Sequence, residues 1–174
     1  GLETCTAAHD LDEDQLLALL QATPAGRIAV TVHHHIPTFH TQHCTYARLL
    51  SQGRDRRTCG QPCRRHDLAL RDRLGNEHPV LVDAQCRNTV FNAAAQSAAF
   101  LVPRLMEAGV RRMRVEFVRE TRVEAERILE AYRDLLAGRL EAGDLTRLLG
   151  AHEQFGVTRG ALATLASRPG PTST

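Results

Sequence analysis

The sequence predicts an α/β domain: part of a TIM-barrel-like (β/α) fold, interrupted by a long cysteine-rich loop and a β-hairpin insertion. Three observations carry this. Short β-branched runs alternate with capped, one-faced helical runs, the order that yields parallel strands. Only two such units occur; a complete (β/α)8 barrel takes about 250 residues, so these 174 residues accommodate only the last part of one. Between the units lies a stretch without hydrophobic period that holds four of the five cysteines.

Taken in order, Asp10 or Asp12 caps a first helix whose apolar face is Leu16, Leu17, Leu19 and Leu20, ended by Pro24 and Gly26. Residues 27–33, RIAVTVH, read as a short buried strand. From His34 to about His66 no period holds, and the segment reads as one long loop, a kind that is usually functional or disordered. LALRD and PVLVD then flank Arg73-Leu74-Gly75-Asn76-Glu77, a hairpin with Gly-Asn at its turn. Residues 89–108 have a helical pattern that Pro103 should kink or split, with Gly109 as the stop. RRMRVEF, 111–117, reads as a strand. Thr121-Arg122-Val123-Glu124 is a capping box opening a helix that faces inward through Ile128, Tyr132, Leu135 and Leu136 and ends at Gly138. A shorter helix near 144–150 follows. The expected organisation is one domain over 1–160, its insertion at about 34–88, and a disordered tail over 161–174.

Composition sets outer limits. An apolar content of 43% suits a globular chain, and no run approaches the roughly 18–20 apolar residues of a membrane span. The first residues include polar Glu3, Thr4 and His9 and show no signal-peptide layout. The expected setting is therefore the reducing cytoplasm, where clustered thiols are metal ligands or catalytic groups more often than disulfides. An odd count of five also argues against a closed disulfide framework. The opening GLETCTAAHD reads like the middle of a domain. Every Lys+Arg residue is arginine, which reads as genome composition rather than mechanism. The net charge of +2 says little about partners, but residues 54–73 hold seven arginines against Asp55, Asp67 and Asp72, a local +4. That stretch is either a solvated loop face or a surface for phosphate or an anionic substrate.

The chemistry concentrates where the period is lost. Cys44-x14-Cys59-x3-Cys63-x22-Cys86 contains one close pair and two distant singles, whereas a zinc ribbon shows two close pairs. Irregularly spaced thiolates suit an iron–sulfur cluster; zinc, and unligated or redox-active thiols, remain the alternatives. His33, His34, His35, His40 and His43 stand nearby, as polar loop residues or as ligands, proton donors or substrate clamps. Arg87 could hold a carboxylate or phosphate in bidentate fashion or shield cluster charge, and Asn88 follows it. Glu116 lies late in a strand that leads to the C-terminal rim of a barrel, where catalytic groups sit; an ion pair with Arg114 or Arg119 is the plainer reading.

GRIAVTVHHHIPTFHTQHC, RTCGQPC, LRDRLGNEHPVLVDAQCRNTVFNA, RVEFVRET and the late FGVTRG resemble peptidase family U32, the collagenase-like peptidases whose catalytic type is unassigned. The likeness runs from about residue 1 to 160, and the four-cysteine pattern with DAQCRN is its most specific part. The resemblance implies a TIM-barrel-like catalytic domain of which this chain is the C-terminal portion. It also implies a four-iron four-sulfur cluster on Cys44, Cys59, Cys63 and Cys86. It implies oxygen-independent hydroxylation of RNA or of an aromatic quinone precursor, often with a second family member as hetero-partner. Other members carry the name collagenase.

Three functions follow. The first is a cluster-dependent hydroxylase, with His35, His43 and Glu116 as catalytic candidates and Arg87 and Asn88 on the substrate side. The second is a peptidase, although adjacent His43 and Cys44 on an extended segment point to opposite sides and no His-Glu-x-x-His signature occurs. The third is a non-catalytic zinc or RNA-binding module, which the 4% aromatic content does little to support.

Overall fold

A computed structural model describes residues 3–154. The chain runs β1 (Cys5–Thr6), α1 (Glu13–Ala22), β2 (Ile28–His34), β3 (Pro37–Thr41), α2 (Thr45–Leu50), β4 (Leu68–Arg71), β5 (Glu77–Val82), β6 (Asn88–Phe91), β7 (Gln96–Ser97), α3 (Val102–Glu107), β8 (Arg112–Val115), α4 (Arg122–Leu136), α5 (Ala142–Leu149) and β9 (His152–Glu153). Two sheets result. The first is centred on β2, which pairs in parallel with β1 (Cys5 opposite Ile28) and with β8 (Ala29 opposite Arg112). Near its C-terminal end β2 also takes β7 antiparallel, His33 opposite Ser97 and His34 opposite Gln96, and β9 lies parallel to β7. The second sheet is antiparallel throughout, in the order β3-β6-β5-β4.

The parallel part behaves as the alternating pattern requires, because α1 connects β1 to β2 and α3 leads into β8. The fold is mixed α/β, and the described residues form no closed barrel. Val30 and Val32 of β2 are buried among Leu16 and Leu20 of α1, Leu101, Leu105 of α3, Ile128 of α4 and Leu145 of α5. A smaller core of Tyr46, Val80 and Val90 sits beneath the second sheet, with Cys44 and Cys63 packed on it.

The local signals hold in several places. Asp12 caps α1 in a capping box with Gln15, and Thr121 and Glu124 form the expected box at α4. The hairpin pairs Leu68 with Val80 and Arg71 with Glu77, and Gly75 takes φ 88 in its turn. Gly109 and Gly138 adopt left-handed conformations where α3 and α4 stop. In α4, Ile128 and Tyr132 are buried but Leu136 is exposed.

Two expectations need correction. The stretch from His34 to His66 is not one loop: it holds β3, α2 and a short 3₁₀ turn at Pro62–Arg64. Strand β3 pairs with β6, some fifty residues away in sequence, and its exposed side chains give no local period. Nor is 89–108 a kinked helix. Residues 88–91 and 96–97 are strands, and only 102–107 is α-helical. The alanine-rich run has helix propensity, but sheet pairing to β3, β5 and β2 overrides it. Pro103 lies in the first turn of α3, where a missing N–H costs nothing, so it starts the helix instead of bending it. The 161–174 tail and all of FGVTRG lie outside the described residues.

Candidate functional site

The insertion brings the four expected cysteines into one neighbourhood. Burial raises the Cys86 thiol pKa, and the charges of Cys44, Cys59 and Cys63 push the same way, with Arg56 opposing them. All four are half-buried free thiols. Cys44 is the N-cap of α2, and its Sγ accepts from the Ala47 N–H at 3.5 Å. Cys59 Sγ accepts from the Gln61 N–H at 3.4 Å. The CGQPC loop reaches this shape through left-handed Gly60 (φ 67) and Gln61 (φ 50), after which buried Pro62 precedes Cys63. Cys86 sits at the tip between β5 and β6 with φ 66.

Soft thiolate donors of this kind suit zinc or an iron–sulfur cluster, and amide N–H groups aimed at sulfur stabilise thiolate charge. The donor set fits either group in its chemistry. Among the described residues, no three His, Cys, Asp or Glu side chains already stand as a clasp for a single metal ion.

Asn88 belongs to this scaffold. It is fully buried; its Oδ1 accepts from the Thr45 N–H at 2.6 Å and its Nδ2 donates to the Cys86 carbonyl at 3.4 Å. One side chain thus bridges the segments that carry Cys44 and Cys86. Tyr46 does similar work, donating to Val80 O at 2.7 Å while accepting from the Leu68 N–H at 3.2 Å. Arg87 is paired with Asp83, its Nε 2.7 Å from Oδ2, in a turn whose Asp83 Oδ1 also accepts from the Gln85 and Arg87 N–H groups. His43 is exposed, and its backbone N–H donates to Thr41 Oγ1. Among the described residues no hydrogen bond joins a cysteine to a histidine.

A second polar cluster lies at the C-terminal end of β2. His33, His34 and His35 are all buried. His35 Nδ1 is 2.7 Å from Asn92 O and its Nε2 is 2.8 Å from Glu120 Oε1. Both partners are acceptors, so both ring nitrogens donate and the ring is a cation. Burial works against that charge, but the bonds to Glu120 and Asn92 outweigh it and raise the His35 pKa. Burial likewise disfavours a charged Glu120, yet His35 and the Val118 N–H hold its pKa down at about 2. His33 is the opposite case: burial lowers its pKa to about 4, although Glu120 pulls the other way. Its Nδ1 is 3.5 Å from the Tyr132 hydroxyl, which donates to Val32 O at 2.8 Å, and its Nε2 has no protein partner among the described residues. His34 Nε2 lies 2.9 Å from Gln96 Nε2 and its ring meets His9 edge-on; burial first, then His9, lowers its pKa.

Glu116 donates its N–H to His33 O at 2.8 Å, while its carboxylate pairs with Arg114 at 2.8 Å near the surface. The structure sets His35 with Glu120 and Glu116 with Arg114, the ion pair that is the plainer reading of Glu116. Glu120 carries no local signal in the sequence, because its partner His35 lies eighty-five residues away. Tyr132 was read as plain core, and its hydroxyl network required the pairing of β2 with β7 to emerge.

No curated protein and no solved structure matches this chain significantly. A family model does: that of Peptidase family U32 matches residues 1–158, most of the 174-residue chain. The match spans the β2 histidines, the whole cysteine-bearing insertion and α4. On that match, the chain belongs to peptidase family U32.

Proposed function

We propose that the chain is the cluster-bearing part of an iron–sulfur-dependent enzyme that carries out oxygen-independent hydroxylation of RNA or of a quinone precursor. The observation that supports this most is the gathering of Cys44, Cys59 and Cys63 about Cys86, with Cys44 and Cys63 packed on one apolar cluster. Cys44, Cys59, Cys63 and Cys86 would hold a four-iron four-sulfur cluster, which supplies one-electron chemistry when bound. Zinc on the same four thiolates is the second reading.

The chain's own residues supply binding and charge. Asn88 and Tyr46 fix the segments that present the thiols. Arg54, Arg57 and Arg64 are exposed and form no ion pair among the described residues, leaving cationic surface beside Cys59 and Cys63 for the phosphates of an RNA. At the end of β2, the His35–Glu120 pair offers a fixed, buried cation and anion where substrate could be oriented. A second family member completes the active unit in this reading, and the cytoplasm is its expected setting; no described helix is long and apolar enough to cross a membrane.

The test is spectroscopic. Anaerobically purified protein should show a broad visible absorbance that Cys63→Ser removes, and an unchanged spectrum in that variant would contradict the proposal. Cleavage of gelatin that a thiol alkylator abolishes would move the reading to a peptidase. Salt-sensitive RNA binding without turnover or chromophore would move it to a binding module.

A further inference from the structure

We propose that Cys86 is the releasable member of the cysteine quartet, so that three cysteines retain the cluster while one iron position opens. The inference rests on the iron–sulfur reading above and distinguishes among its four ligands. Cys86 takes φ 66, in the left-handed region where a β-carbon is disfavoured and glycine is the usual occupant. Nothing about the turn demands cysteine. The Cys86 N–H donates to Asp83 O at 3.0 Å, the Asp83 N–H to Arg87 O at 2.9 Å, and Asp83 Oδ1 gathers the Gln85 and Arg87 N–H groups. The turn closes entirely through backbone and Asp83, and glycine would fill the position with less strain. Strain of this kind, kept at one residue whose side chain the turn does not use, points to a role for the thiol itself.

The other three sulfurs are held by the fold. Cys44 caps α2, accepts an amide N–H and packs against Tyr46, Val80 and Val90. Cys63 packs on the same apolar group and follows buried Pro62. Cys59 accepts the Gln61 N–H, and its loop is closed where Gly53 lies against the Thr58 backbone. Among the described residues no N–H donates to Sγ of Cys63 or Cys86, but Cys63 packs on the apolar group and Cys86 does not. On release, Cys86 would leave with the bonding electron pair and take up a solvent proton, and a solvent oxygen would fill the vacated position, while the turn stays closed through Asp83. The exposed Arg56 guanidinium, bound to Ala84 O in the same turn, stands beside the thiol as it departs.

Four single variants, Cys44→Ala, Cys59→Ala, Cys63→Ala and Cys86→Ala, are compared with the wild type for iron and acid-labile sulfide per chain. Cys44→Ala, Cys59→Ala and Cys63→Ala should bind iron on the order of 10-fold more weakly or worse, while Cys86→Ala keeps most of its iron and shows an altered electron paramagnetic resonance spectrum. Equal loss in all four overturns the proposal. Cys86→Gly provides a readout free of metal: the metal-free variant should melt at a higher temperature than metal-free wild type, and a lower melting temperature removes the strain argument. Wild type without iron and sulfide would remove the cluster reading and this inference together, whereas a loaded wild type with an empty Cys86→Ala would remove this inference alone.

Discussion

Glu120, in the segment after β8, reaches across to His35, just past the end of β2, and places Oε1 2.8 Å from its Nε2 with both side chains about nine-tenths buried. The same histidine is held from the insertion by the Asn92 carbonyl at 2.7 Å. One imidazolium therefore ties together the parallel sheet, the return from the cysteine-bearing insertion and the entry to α4.

This pair sets a pH window for stability. Glu120 titrates lower in the folded chain, so its contribution is full above its ordinary pKa of 4.5 and is lost as pH falls toward about 2. His35 titrates higher when folded, so its contribution is full below 6.5 and is lost as pH rises through its raised pKa. The pair stabilises most between those two values. Glu120→Gln should cost roughly 1–3 kcal/mol at pH 6 and flatten the decline on both sides. Urea unfolding across pH measures this, and a variant with the wild-type pH profile would contradict the assignment.

The three consecutive histidines should titrate separately. Nuclear magnetic resonance of the ring protons should find His35 above 6.5 and His33 near 4, because one ring has two acceptors and the other lies buried beside the Tyr132 hydroxyl. Three rings titrating together near the ordinary value would mean that this end of β2 is open to water.

Asn88→Ala should loosen the quartet's frame without touching a sulfur. It strands the Thr45 N–H and releases the Cys86 carbonyl, at a cost of about 1–3 kcal/mol to the fold. Metal uptake should fall even where the variant remains folded at the assay temperature. Lower stability with undiminished metal uptake would confine Asn88 to a purely structural part.

Gly53→Ala should act on Cys59 from a distance. A β-carbon at residue 53 would lie 2.2 Å from Thr58 O, a backbone atom, so the 53–59 loop must move. Gly26→Ala is the control, since nothing lies within 4 Å of its β-carbon position. Limited proteolysis of the two variants should cut the 53–59 loop faster only in the first.

What the sequence made legible was local. Caps at Asp12 and Thr121, the Gly75 turn and the stops at Gly109 and Gly138 follow from rules that need only a few neighbouring residues. The cysteines could be named because their residue type carries the chemistry. Non-local pairing hid the rest. Strand β3 exists because β6 lies beside it, and Gln96–Ser97 is a strand because His33 and His34 lie opposite. Asn88 stands beside Arg87 and Cys86 in the sequence, but the side chain's hydrogen bond to the Thr45 N–H, forty-three residues away, is not legible there. Glu120 and His35 are separated by eighty-five residues, so no local pattern joins them.

The most direct test of the central claim is iron, zinc, acid-labile sulfide and visible absorbance on protein purified without oxygen. The account predicts iron with matching sulfide and a brown chromophore carried by Cys44, Cys59, Cys63 and Cys86. Zinc without sulfide, or no metal with four reactive thiols, would contradict it.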